Sequence, residues 1–198
     1  MQVTEMSLRV LGGEHPSTLT CIANLALTFW KQGRWKEAEM LEMQVIKMGK
    51  KVLGVEHPST LTNMANLALT YGSQGRWKEA EELEIQVIET KKSVLGAEHH
   101  SILTSMVNLA STYRNQGRWK EAEELQRQEL EICSRVLGAE HPDTLTSMEN
   151  LAWIFKGQDR YDECMELMVI CVRLREKILG VDHPSTIFSL TTLNTWKI

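Results

Sequence analysis

The sequence repeats itself every 42 residues, and this period constrains the fold more than any other feature. The motif Leu-Gly-x-Glu/Asp-His, followed in four of its five copies by Pro, begins at Leu11, Leu53, Leu95, Leu137 and Leu179. Neighbouring copies are separated by the same number of residues, without insertion or deletion. A fixed period between about 20 and 50 residues is typical of stacked-repeat proteins. Each unit in such a protein buries its apolar surface against its neighbours.

Each repeat carries signals for two helices. The first begins after His-Pro, because the fixed φ of proline and its missing N–H suit a first helical turn. In the second repeat its apolar positions share one face, at spacings of three and four: Leu61, Met64, Leu67, Ala68 and Tyr71. The second helix extends from about Arg76 to Leu95, with expected buried positions at Trp77, Ala80, Leu83, Val87, Ile88, Val94 and Leu95. No strand pattern occurs, so the predicted fold class is all-α.

The repeat predicts a single domain over residues 1–198. The terminal segments are the remainder of a second helix, residues 5–11, and one last first helix, residues 184–198. That last helix departs from the pattern at Asn194 and Lys197, which indicates a degenerate end. The four full repeats span residues 12–53, 54–95, 96–137 and 138–179.

Composition excludes several classes of protein. Lys and Arg total 22 and Asp and Glu total 26, so the net charge of -4 argues against a nucleic-acid binder. No apolar run approaches the roughly 20 residues of a membrane span, and the N-terminus has no secretory signal. The four cysteines show no CxxC spacing and indicate reduced thiols. We therefore expect a cytoplasmic protein that binds neither nucleic acid nor membrane.

The sequence predicts no metal, no cofactor and no catalysis. All six histidines lie in the linker motif, where a copy offers one carboxylate and one imidazole (two in the third copy), and the sequence supplies no further ligand there toward the three or four of a zinc site. There is no nucleotide-binding glycine loop and no catalytic triad pattern. The aromatic residues that open each second helix are expected in the core: Trp35, Trp77, Trp119 and Tyr161.

The segments Asn66–Glu81 and Asn108–Glu123 share the pattern NLA-x-x-Tyr-x-x-Gln-Gly-Arg-Trp-Lys-Glu-Ala-Glu. This pattern resembles the tetratricopeptide repeat, and the 42-residue period with its Leu-Gly-x-Glu-His-Pro linker resembles the kinesin light chain subtype. Similar arrays occur in NLR-like STAND signalling proteins. The resemblance implies a right-handed superhelical solenoid of antiparallel helix pairs, in which the first helices line a concave groove.

Groove positions mapped from the resemblance vary while the repeat frame stays constant; for example, Leu69 becomes Ser111 in the next repeat. A constant frame with a changing inner face predicts a binding surface. The kinesin light chain resemblance also implies that the Asn before Leu-Ala contacts a partner. The predicted partner-binding residues are Asn24, Trp30, Asn66, Asn108, Ser111, Arg114, Glu149, Asn150, Trp153 and Lys156.

Two functions remain open. The first is a non-catalytic scaffold that binds a peptide or helix of a protein partner in the groove. The alternative is a self-associating structural or sensor array, part of a larger NLR-like signalling protein, because unpaired solenoid ends tend to associate. Homo-oligomer contacts would then involve the terminal helix at Phe188, Leu190, Leu193 and Trp196.

Overall fold

The computed structural model describes the backbone of residues 2–196 and the side chains of residues 6–7 and 9–196. All regular structure in this part of the chain is helical, which confirms the all-α fold class. The predicted departure at Lys197 lies outside the described residues. The helices are α1 (Gln2–Leu11), α2 (Pro16–Lys31), α3 (Trp35–Val52), α4 (Pro58–Ser73), α5 (Trp77–Leu95), α6 (His100–Asn115), α7 (Trp119–Val136), α8 (Pro142–Gly157), α9 (Tyr161–Leu179) and α10 (Pro184–Trp196).

The chain divides into two compact units, one ending at Asn108 and the other beginning at Leu109, so the boundary lies within α6. In the first unit α2 packs on α3, α3 on α4 and α4 on α5; in the second, α7 packs on α8, α8 on α9 and α9 on α10. Short turns join these consecutive helices, so each unit is a stack of antiparallel helices. The single-domain organisation stays a prediction.

A histidine caps the start of each first helix. Its Nδ1 atom accepts a hydrogen bond from the backbone N–H two residues further on, at 3.1 or 3.2 Å. This bond satisfies one of the N–H groups that a helix leaves unpaired at its start. The linker histidines therefore have a structural role as caps. The capping residues are His15, His57, His99, His141 and His183.

The turn inside each helix pair requires a positive φ. Its glycine has φ between 74° and 77° in the first three repeats, and Asp159 adopts φ 60° at the same place in the fourth. The arginine that follows stacks its guanidinium on the aromatic ring five residues before it, near the end of the first helix, and bonds the glutamate three residues later. The stacked pairs, with guanidinium carbon to ring centroid distances of 4.0 to 4.3 Å, are Arg34–Phe29, Arg76–Tyr71, Arg118–Tyr113 and Arg160–Phe155.

The core follows the predicted helical faces. In α4 the apolar stripe is buried against α3 and α5, in a cluster of Ile46, Leu61, Met64, Leu67 and Val87. Alanines where paired helices approach closely have almost no exposed surface: Ala26, Ala38, Ala68, Ala80, Ala110, Ala122 and Ala152. These small side chains let the backbones pack closely, while large residues fill the spaces between them.

Two predictions about the second helices were wrong. Val94 and Leu95 are 43% and 37% exposed, because α5 ends there and the chain leaves through the linker turn. The opening aromatics are not core residues either, since Trp35 and Tyr161 are 40% and 53% exposed and Trp77 and Trp119 are only half-buried. Each of these rings belongs to the residue that opens a second helix. Trp77, for example, covers the end of α4, where a Cβ at Gly72 would come 3.0 Å from its ring.

Candidate functional site

Half of the predicted partner-binding residues line one recess in the second unit, with a volume of about 720 Å³. They come from the end of α6 and from the inner face of α8, where spacings of three and four bring side chains to one side. Phe188 of α10 lines the same recess, although it was predicted as a self-association residue. The lining residues are Arg114, Trp119, Glu149, Asn150, Trp153, Lys156, Gly157 and Phe188.

Two tryptophans form an aromatic corner at the recess. The rings of Trp153 and Trp196 lie edge to face, with centroids 4.6 Å apart and an interplanar angle of 89°. The Nζ atom of Lys156 lies 4.5 Å from the centroid of Trp196 and 5.9 Å from that of Trp153. Attraction between the ammonium and the indole faces favours this position of the lysine at the recess wall.

The recess presents positive charge. Burial lowers the pKa of Arg114 from its usual range, because the guanidinium has lost part of its hydration. Among the described residues, no carboxylate forms an ion pair with Arg114 or Lys156. Arg114 and Lys156 therefore line a recess together with three aromatic side chains, and in the described part of the chain neither cation has an acidic partner.

Glu149 lines the recess, but its carboxylate is engaged inside the fold. The side chain is 7% exposed, and its Oε2 accepts a hydrogen bond from Nη1 of Arg175 at 2.7 Å. Its Oε1 accepts a second bond, from Oγ of Ser189 at 3.1 Å. An approaching ligand consequently meets Arg114 and Lys156 rather than a free acid.

The predicted residues of the first unit are not among those that line this recess. Asn24 is exposed, and Asn66 and Asn108 are half-buried. Trp30 is half-buried, and its Nε1 donates a hydrogen bond to Oγ of Ser73 at 3.0 Å. In the second unit, Ser111 is half-buried on α6.

The four residues predicted for self-association do not share one surface. Phe188 and Leu190 are 58% and 38% exposed on α10. Leu193 is 4% exposed and belongs to a core cluster with Met168. Trp196 packs against Trp153. Phe188 and Leu190 are thus exposed and Trp196 is half-buried, whereas Leu193 is not accessible to a second copy.

Sequence reasoning missed Trp119 and Gly157 as recess residues. A Cβ at Gly157 would overlap the ring of Trp119, so glycine allows the ring to lie directly on the end of α8. The available signal was the change to glycine at a position occupied in the other repeats by Lys31, Ser73 and Asn115.

The described residues gather no metal-type cluster, and two of the buried cysteines are poorly suited to act as nucleophiles. Within them, no group of three His, Cys, Asp or Glu side chains converges to hold an ion. Burial raises the pKa of the Cys133 thiol to about 12 and that of Cys171 to about 11, so both stay protonated and unreactive at neutral pH. In the described part of the chain, no helix combines the length and apolar character that crossing a bilayer needs.

Comparison with known proteins identifies the repeats. Models of the tetratricopeptide repeat match residues 18–59, 60–101 and 101–168. No curated protein sequence matches the chain significantly.

Solved structures resemble the chain closely. One is a Podosopora anserina protein assigned to the kinesin light chains, with nearly identical TPR-like repeats: 35% identity, 92% of this chain and 86% of that chain covered, TM-score 0.79. A single-residue variant of it covers 89% and 83% at the same identity, with a TM-score of 0.78. BtubC from P. vanneervenii shares the fold at 18% identity, with 84% of this chain and 66% of that chain covered and a TM-score of 0.74.

Proposed function

This chain belongs to the tetratricopeptide-repeat family, with repeats of the kinesin light chain-like kind, and we propose that it is a non-catalytic scaffold that holds a segment of a protein partner in the recess of its second unit. One observation carries the proposal. Arg114 and Lys156, two cations without an acidic partner among the described side chains, line an accessible recess with three aromatic residues. Surfaces that combine aromatic and basic groups are typical of protein interfaces.

The recess favours a segment that alternates carboxylates with apolar side chains. The carboxylates would pair with Arg114, whose charge is partly desolvated, and with Lys156, which lies beside the ring of Trp196. The apolar side chains would pack on Trp119 and Phe188. The amide of Asn150 supplies a donor and an acceptor for the backbone of the segment.

The experiment uses two fluorescein-labelled peptides of equal length, in which Leu alternates with Asp in one and with Lys in the other. We expect the acidic peptide to bind, with an affinity that falls as salt is added, since mobile ions screen exposed charges. Arg114→Glu or Lys156→Glu should weaken binding by about tenfold or more, which corresponds to 1.4 kcal/mol.

The control variant is Arg173→Glu, the same charge change on an exposed position of α9. It should leave peptide binding unaltered. Equal binding of both peptides, or equal damage by the control and by Arg114→Glu, would refute the recess as the site.

A second candidate function is self-association through α10, supported by the exposure of Ile187 and Phe188, 50% and 58%. Exposed apolar side chains on a terminal helix favour contact with another copy. Light scattering over a hundredfold concentration range would detect it. Ile187→Asp should abolish a dimer yet leave peptide binding intact, because this residue does not line the recess. A constant monomer mass would remove this candidate.

A further inference from the structure

In two of the repeats, a basic residue near the end of the second helix is buried and contacts the first helix that follows. Nζ of Lys91 on α5 donates to Oγ of Ser105 on α6 at 2.9 Å, and Nη1 of Arg175 on α9 donates to Oγ of Ser189 on α10. Lys91 and Arg175 are 9% and 3% exposed. The same place in the first repeat is Gly49 on α3. The first repeat therefore has no side chain that could make this contact.

A pocket of about 500 Å³ opens at Gly49, within the first unit. Its walls come from α2, α3 and α4 and from the linker before α4. Exposed residues such as Thr20 and Ser59 line it, so the pocket is open to solvent. We call this space the Gly49 pocket, and the lining residues relevant to a ligand are Leu19, Thr20, Val45, Gly49, Ser59 and Asn63.

The partners of Arg175 show which side chain would fill such a space. Its guanidinium bonds two side-chain oxygens on α8, and a hydroxyl and a backbone carbonyl on α10. These partners belong to Thr146, Glu149, Ser189 and Ser185, in that order. The equivalent residues three repeats earlier all line the Gly49 pocket, and they are Thr20, Ala23, Asn63 and Ser59. The pocket thus corresponds to a site that the chain itself fills with a cation in the fourth repeat.

The hydrogen-bond acceptors of the Gly49 pocket are not used within the described chain. The side-chain amide of Asn63 has no partner there, whereas the serine hydroxyls at the same place in later repeats bond Lys91, Glu129 and Arg175. Oγ1 of Thr60 also lacks a partner; this residue is 1% exposed, and its Oγ1 is the atom nearest to a Cβ placed on Gly49. The Ser59 carbonyl keeps a second lone pair beside its helical bond. A ligand that donates hydrogen bonds therefore finds free acceptors in this pocket.

The second repeat shows that acceptors of this kind hold an ammonium without a carboxylate. Nζ of Lys91 bonds the Ser101 carbonyl and Oγ of Ser105, each at 2.9 Å, and no acidic side chain of the described residues pairs with it. Burial lowers the pKa of Lys91, because the ammonium has lost part of its hydration. The Gly49 pocket is open to solvent, so an ammonium that enters it keeps more of its hydration and the penalty is smaller.

The place of Glu149 distinguishes lysine from arginine as the expected ligand. Arg175 pairs with this carboxylate at 2.7 Å. The equivalent residue is Ala23 in the Gly49 pocket and Ala65 beside Lys91, so the first repeat matches the repeat that holds a lysine.

We propose that the Gly49 pocket binds the side chain of a lysine supplied by a protein partner, in the place that Lys91 fills in the second repeat. The methylene stem of the ligand packs on Leu19 and Val45, as long basic side chains do on apolar surfaces. Its ammonium donates to the Ser59 carbonyl and to the amide oxygen of Asn63. This inference goes beyond the proposed function and does not depend on it, because none of the residues that line the Gly49 pocket lines the recess.

The probe is N-acetyl-lysine methylamide, compared with N-acetyl-norleucine methylamide, which has the same stem without the ammonium. Both are titrated into the full chain labelled with nitrogen-15, and amide chemical shifts are followed by NMR. We expect saturable shifts among residues 16–63 with the lysine probe. The norleucine probe should bind about fivefold more weakly or not at all, since it loses the hydrogen bonds of the ammonium.

Gly49→Lys supplies the ammonium from the chain itself, as Lys91 does, and should abolish binding of the lysine probe. Its matched control is Val52→Lys, which adds the same charge to α3 at an exposed residue that does not line the pocket, and should leave binding unaltered. Asn63→Leu removes an acceptor and should weaken binding about fivefold. Asn63→Ser introduces the residue found at this place in α6, α8 and α10, and should retain binding. Circular dichroism verifies that each variant is folded, and the two Asn63 variants decide the question if Gly49→Lys does not fold.

Equal binding of the two probes would overturn the proposal, because the pocket would then recognise only the apolar stem. Equal losses in Gly49→Lys and Val52→Lys, or in Asn63→Leu and Asn63→Ser, would also overturn it. The acidic peptide that tests the recess gives a separate readout. Gly49→Lys should leave binding of that peptide unaltered, so failure at one site is distinguishable from failure at the other.

Discussion

The buried carboxyl of Glu42 makes the stability of the first unit depend on pH. Glu42 lies on α3 with 3% of its surface exposed, and its Oε2 has no hydrogen-bond partner among the described residues. Burial raises its pKa to about 7, and the nearby charge of Glu39 acts in the same direction. The free-energy cost of burying this carboxyl in its ionised form should therefore appear as the pH rises.

The sign follows from the two protonation states. Below the unfolded-state pKa of about 4.3 the carboxyl is neutral in both states, and its burial carries no charge penalty. Between that value and pH 7 the unfolded chain ionises first, so the free energy of unfolding falls. Above pH 7 both states are charged and the loss is complete. A difference between about 4.3 and about 7, at roughly 1.4 kcal/mol per pKa unit, gives a loss of about 4 kcal/mol.

Glu42→Met should remove this pH dependence because methionine does not ionise. The side chain should fit, since Met168 occupies the equivalent position in the fourth repeat and is fully buried. We expect the variant to be more stable than the wild type by about 4 kcal/mol at pH 8, and by less than about 1 kcal/mol at pH 4.5. Urea unfolding followed by circular dichroism at several pH values measures the difference. Glu82→Gln, an exposed carboxylate on α5, is the control and should show no such trend.

If the stability of the Glu42→Met variant differs from that of the wild type by the same amount at pH 4.5 and at pH 8, the predicted effect of Glu42 is refuted. That result would show that Glu42 ionises equally in the folded and unfolded states. A parallel loss of stability in the wild type and in the variant as pH rises would assign the dependence to other groups.

Three further predictions concern single positions. Asp159→Gly should stabilise the chain by up to about 1 kcal/mol in urea unfolding, because glycine adopts φ 60° without strain; a loss of stability would contradict this. His57→Ala should lower the free energy of unfolding by about 1 kcal/mol, because α4 loses its cap, whereas His57→Asn should retain most of the capping stabilisation. Equal losses in the two variants would exclude the capping role. Gly157→Val should displace the Trp119 ring, shift tryptophan fluorescence and cost about 1–3 kcal/mol, and an unchanged spectrum would contradict the packing.

Local signals explain why much of the fold was predictable. The Gly-Arg turn, the His-Pro start and the apolar spacing of α4 depend on residues a few positions apart, and a fixed period repeats them along the chain. Burial of Leu61 and Met64 follows directly from that spacing. Half of the groove candidates likewise meet in one recess, because positions at spacings of three and four on α8 must share a face.

The sequence by itself thus determined the period, the helix pairs and the buried faces. Only the tertiary structure decided which polar side chains are free to bind. Glu149 and Arg175 are 26 residues apart, and Ser189 lies 40 residues from Glu149, so no local pattern shows that the carboxylate is engaged while Arg114 and Lys156 are not. Likewise, Leu193 and Phe188 are both apolar residues of α10, and only packing places one in the core and the other at the recess. Such differences arise from contacts between elements, which composition and spacing do not encode.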